Sequence, residues 1–244
     1  MSLSQVELEK IKLNDKARQI VIFAGRFGSG KTEISINYAL LLANQPGGPR
    51  PILIDLDIVT PYFRTRELVD ELGREGIDVV APATVAQHLD IPAIIPEIMG
   101  AMQQSERPVV VDVGGDAQGA RALGQFAPTL KNLDYGMNFV VNPHRPFTGS
   151  IEGIARAIDE IQTTSRLRVS ALVSNPNLMR KTGIDLVVKG HRLVEEAAKT
   201  LALPVAFISL RADLAAQVRA DQFQQPVMPL RRFFVMSWEG DNSA

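Results

Sequence analysis

The 244-residue sequence contains no cysteine. Disulfides, thiolate zinc sites, cysteine nucleophiles and cysteine-ligated iron–sulfur clusters are thereby excluded, since each requires the sulfur atom. An excess of either charge is also lacking: 26 Lys and Arg stand against 27 Asp and Glu, a formal net charge of -1. No global positive field exists to draw nucleic acid through phosphate neutralisation. The longest apolar runs, such as 39–43, span a handful of residues, whereas a membrane-spanning helix needs about 20. Residues 1–18 interleave charged and apolar side chains and hold no signal-peptide core. His88, His144 and His191 are too far apart in sequence to suggest a metal site. These absences predict a soluble, cytoplasmic protein for which neither DNA nor membrane is an expected partner.

What is present is a 45% apolar, 22% charged chain, the composition and length of one globular domain. Short β-branched runs recur at 20–24, 51–55, 77–80, 108–113, 137–142, 169–174 and 204–209. Between them lie helix candidates at 31–44, 64–75, 150–162, 183–201 and 212–222; in the third, Ile151, Ile154, Ile158 and Ile161 form one apolar stripe. Strands alternating with helices indicate right-handed βαβ units. The expected fold class is therefore α/β, a three-layer, mostly parallel, doubly wound sheet with helices on both faces. Residues 19–221 are expected to form this domain, 1–18 an arm or added strand, and 222–244 a tail packed on or extending it.

Residues 25–32 read Gly25-Arg26-Phe27-Gly28-Ser29-Gly30-Lys31-Thr32, directly after a strand and before a helix. This is the spelling G-x-x-x-x-G-K-[ST] of a phosphate-binding loop in its required context. Glycines let successive backbone N–H groups wrap a polyphosphate, and the helix N-terminus adds its positive dipole end. Lys31 would reach the β- and γ-phosphates while the Thr32 hydroxyl binds Mg²⁺. The strand VVVDVGGD delivers Asp112 at its C-terminal end, where ligands bind in open α/β sheets. Asp112 would hold the Mg²⁺, and Gly114 or Gly115 would offer a backbone N–H to the γ-phosphate. Asp55 and Asp57 share one strand face, an arrangement costly without a cation.

GRFGSGKT, DLDIVTP, VVVDVGGD and ALVSNPNL, in this order, resemble the SIMIBI branch of P-loop NTPases, which contains MinD, ParA, the nitrogenase iron protein and the CobQ/CobB-type domains. The resemblance covers residues 20–219. It implies that Asp57 orients the attacking water, that Asp55 lies near the Mg²⁺ shell, and that Asn175 hydrogen-bonds adenine; Asn142 ends the preceding strand and is a second candidate. Arg26 stands where the branch usually has a signature lysine that acts across a dimer, and arginine keeps the charge. With no N/T-K-x-D sequence, the guanine-reading element of GTPases, ATP is the expected nucleotide. The resemblance thus implies a MgATP-binding, ATP-hydrolysing switch, acting through an ATP-dependent homodimer on an unidentified protein partner. An ATP-dependent ligase activating a small carboxylic acid, and a nucleotide binder without hydrolysis, are the alternatives.

Residues 62–67 (YFRTRE) are equally readable as a mobile switch or a first helical turn, and Arg145 lies on a loop at the ligand edge of the sheet. The segment 230–238 (LRRFFVMSW) is too short for a membrane-binding helix. It is expected as a last strand or docked tail.

Overall fold

The computed structural model describes residues 19–56, 68–80, 95–103, 106–219 and 221–234. Asp57, the 62–67 segment, His88, the N-terminal 1–18 and the end of the tail, 235–244, lie outside the described residues. Eight strands run in chain order: β1 Ile20–Ala24, β2 Ile52–Leu56, β3 Asp78–Val80, β4 Val109–Val113, β5 Tyr135–Val141, β6 Ala171–Ser174, β7 Val205–Arg211 and β8 Val227–Leu230. They form one sheet in the order β3-β2-β4-β1-β5-β6-β7-β8, and every pairing is parallel. The helices are α1 Lys31–Ala43, α2 Val69–Arg74, α3 Ile95–Gln103, α4 Ala117–Gln125, α5 Ala127–Leu130, α6 Ile151–Ser165, α7 Ile184–Leu201 and α8 Ala212–Ala215.

Both sheet faces are covered. Ile20, Ile22, Ile54, Val111, Phe139 and Val141 turn towards α3 to α7, while Val21, Phe23, Leu53, Val110 and Val140 turn towards α1 and α2. This is why the central strands read as unbroken apolar runs instead of alternating. Helix α1 is buried along most of its length, Ile34 to Leu41 included. The amphipathic α6 starts where the Ser150 hydroxyl accepts the Gly153 N–H at 3.1 Å and stops at Arg166 in the left-handed conformation.

Helices α3, α4 and α5 arise where none was named, and the helix expected over 212–222 ends at Ala215. Within the tail expected over 222–244, the VMPL run adds β8 to the sheet. Pro229 is tolerated in β8 because an edge strand has a side with no ladder to complete. Among the described residues no helix is long and apolar enough to cross a membrane.

One core histidine makes stability depend on pH. His191 on α7 is buried, its Nδ1 3.1 Å from the Ser174 hydroxyl and its Nε2 3.0 Å from the Gln225 amide oxygen. Burial lowers its pKa, against the opposing pull of Gln225 and Glu195. The unfolded chain takes up this proton near pH 6.5 and the folded chain only at lower pH. Stability contributed by the neutral ring is therefore complete above about pH 6.5 and falls below it, by up to about 1.4 kcal/mol per pH unit. Urea midpoints measured between pH 7.5 and 5 should drop across this window, and His191→Gln should flatten the drop.

Candidate functional site

The phosphate loop lies between β1 and α1, at the C-terminal edge of the sheet. Gly28 (φ 74°) and Gly30 (φ 89°) are left-handed, a conformation glycine adopts without steric cost. Gly30 is also the N-cap of α1. Having no side chain, it leaves the first-turn N–H groups to an incoming anion. A Cβ at Gly30 would collide with the Asn175 amide nitrogen, and one at Gly25 would sit 2.7 Å from the Val140 carbonyl. Lys31 is buried at the start of α1, with Thr32 partly buried beside it.

The loop is clasped from three sides. Asn175, at the end of β6, donates its amide to the Ser29 carbonyl at 2.6 Å. Arg145, on the loop after β5, donates its Nε to the Gly28 carbonyl at 3.2 Å. Gly115, after β4, rests on the loop backbone so closely that a Cβ there would lie 2.7 Å from the Phe27 nitrogen. The backbone of the turn after β4 thus comes close to that of the phosphate loop.

Asp55 and Asp112 end neighbouring strands and are direct register partners. Both are buried, at 2% and 0% exposure, and both lie on the sheet face that α1 covers. Two like charges so placed disfavour joint ionisation unless a cation accompanies them. Thr32 carries a further oxygen at the start of α1, the helix on that face, and hard oxygen ligands of this kind are the ones Mg²⁺ takes. Among the described residues there is no cluster of three or more His, Cys, Asp or Glu that would cage a metal alone.

Arg26 and Asn142 face the protein itself. The Arg26 guanidinium is 2.8 Å from Glu160 of α6 and stacks over the Phe147 ring at 5.5 Å. The Asn142 side chain donates to the Asn177 carbonyl at 2.8 Å and accepts the His144 N–H at 3.1 Å, stitching the loops after β5 and β6 together. Phe27 and Phe147 are exposed, at 67% and 68%. Below Arg26 a cavity of about 220 Å³ opens between α4 and α6, reaching Gly115, Asp116 and Thr164.

Sequence reasoning missed the end of β7. A small niche of about 10 Å³ lies beside Asn175, lined by Asn177, Thr182, Ser209 and Arg211. Arg211 forks onto Asp213 at 2.9 and 2.6 Å and donates to the Met179 carbonyl at 2.9 Å. The pairing raises the arginine pKa and lowers that of the aspartate. A charged Arg-Ala-Asp directly after an apolar strand, at the sheet edge where ligands bind, was the available signal.

No protein-family model matches the chain, and no curated protein sequence does. Solved structures do match. The signal recognition particle receptor FtsY from Elizabethkingia anophelis is 18% identical over 83% of this chain and 63% of that one, with a TM-score of 0.50. The cell division protein FtsY from Thermotoga maritima is 17% identical over 94% and 72%, with a TM-score of 0.56. Chloroplast FtsY from Physcomitrella patens is 15% identical over 83% and 66%, with a TM-score of 0.52. The chain spans less than two thirds of the length of the first and third of these. At such identities the likeness is one of architecture: the all-parallel sheet, with its helices on both faces, has the α/β fold of these FtsY structures.

Proposed function

We propose that this chain binds a magnesium nucleoside triphosphate, hydrolyses it slowly and acts as a nucleotide-dependent switch. One observation carries the reading: a phosphate loop with left-handed Gly28 and Gly30 opens α1, and the same helix covers the register-paired acids Asp55 and Asp112. Lys31 would hold the β- and γ-phosphates, Thr32 and Asp112 the metal with Asp55 beside it, the Gly115 backbone the γ-phosphate, and Asp57 the attacking water. Bound Mg²⁺ would neutralise charge on the transferring phosphoryl group. The protein's contribution is position: each group is fixed by a strand end or a helix start before the nucleotide arrives.

ATP is the nucleotide we propose, with ADP as product, on the absence of a guanine-reading N/T-K-x-D element. Asn175 adds little to that choice, because its amide is committed to Ser29. GTP is therefore the direct competitor in any test. The switch would act as a homodimer in which Arg26 leaves Glu160 and reaches the partner copy's nucleotide, with a further protein as client. Light scattering of the Asp57→Ala variant with MgATP should show a dimer that MgADP does not produce. An unchanged mass in both states would overturn the dimer. It would favour the second reading, a ligase for a small carboxylic acid, which the cavity beside Arg26 and Gly115 would accommodate; such an enzyme turns over ATP only when the acid is present.

A further inference from the structure

The helix that opens with Lys31 and Thr32 continues with Glu33, whose carboxylate is bonded to the end of the described chain. It accepts the Phe233 N–H at 3.1 and 3.2 Å and the Phe234 N–H at 2.9 Å. One turn further, Asn37 pairs with Arg231 in both directions: its amide donates to the Arg231 carbonyl at 2.8 Å and its oxygen accepts the Arg231 N–H at 2.8 Å. The rings of Phe233 and Phe234 pack against the core on this face. Arg231 then reaches Glu71 on α2 and Glu75 at its C-cap, at 2.6 and 2.7 Å. In sequence α2 follows 57–67, the stretch that contains Asp57. Residues 231–234 therefore cross α1 as a strap, bonded to its first turns at one side and to α2 at the other.

A carboxylate in the first turn of α1 stands close to where an anionic polyphosphate must bind. The N–H groups of Phe233 and Phe234 both donate to that carboxylate. With the strap docked, the negative charge is met by these donors; with the strap undocked, it opposes the phosphates directly.

We propose that the 231–234 strap, by binding Glu33 and Asn37, positions the first turn of α1 for nucleotide, so that strap docking and nucleotide binding favour each other. This rests on the nucleotide-binding reading above. Coupling of this kind is reciprocal, so nucleotide should also hold the strap down.

The test titrates MgADP and MgGDP into the full chain, its Asn37→Ala variant and the Asn37→Ala, Glu33→Gln double variant. Removing Asn37 loosens the strap and should weaken binding of the preferred nucleotide about tenfold. Glu33→Gln on that background removes the opposing charge and should bring affinity back to within about threefold of the original. In the unaltered protein, hydrogen exchange at the Phe233 and Phe234 amides should slow when nucleotide is added, a readout that needs no variant. Asn37→Ala binding within twofold of the original, or exchange indifferent to nucleotide, would overturn the strap. A double variant as weak as the single one would overturn the charge argument that defines it. If the unaltered protein binds neither nucleotide, the nucleotide-binding reading itself fails, and the strap's role with it.

Discussion

Replacing Lys31 with alanine is expected to abolish nucleotide turnover, a fall of at least about 10²- to 10³-fold, while leaving the fold in place. The side chain is buried at the N-terminus of α1, beside the loop with left-handed Gly28 and Gly30. In the proposed reading its ammonium would meet the negative charge that develops on the β–γ bridge. The helix itself is held by Ile34, Ile36, Tyr38 and Leu41 in the core, none of which the substitution touches. Thermal melts without nucleotide should therefore superimpose to within a few degrees, and the stabilisation that MgATP gives the unaltered protein should disappear. Turnover within tenfold of the original would show that the loop does not work on phosphates.

Asp112→Asn is expected to separate activity from stability in a way no ordinary core substitution does. Asp112 and Asp55 are register partners on β4 and β2, both buried and both on the face that α1 covers. Neutralising one relieves like-charge repulsion, so the nucleotide-free melting temperature should stay level or rise. If Asp112 holds Mg²⁺ as proposed, hydrolysis should fall about 10²-fold or more, because the metal's ligands lose a charge. The gain in melting temperature that Mg²⁺ adds to nucleotide should vanish with it. A variant that melts lower and keeps its Mg²⁺ response would identify Asp112 as a structural acid.

Much of the fold and the loop was legible because the information is local. Eight consecutive residues specify the phosphate loop, and the two positions that need left-handed backbone, Gly28 and Gly30, are spelled as glycine. Strand β1 reads plainly as an unbroken apolar run because it is buried on both faces, and β4 and β6 each carry a single polar residue, Asp112 or Ser174, near the C-terminal end. Helix α4 was not legible: its sequence AQGARALGQ buries two alanines and a single large apolar side chain, Leu123, and contains two glycines. Nor could β8 be read, with a proline in a four-residue strand. The partners of Arg26, Asn175 and Glu33 lie 134, 146 and 200 residues away in sequence at Glu160, Ser29 and Phe233. Such pairings are products of the tertiary fold, which is why the motif marks Arg26 for a phosphate while the structure finds it on Glu160.

The most direct measurement is a calorimetric titration of ATP and GTP into the unaltered protein, with Mg²⁺ and with EDTA in its place. The account predicts saturable binding at a single site, with a dissociation constant in the range of about 1 μM to 1 mM, weakened by EDTA and tighter for ATP. Absence of heat for both nucleotides at millimolar concentration, with Mg²⁺ present, would contradict it.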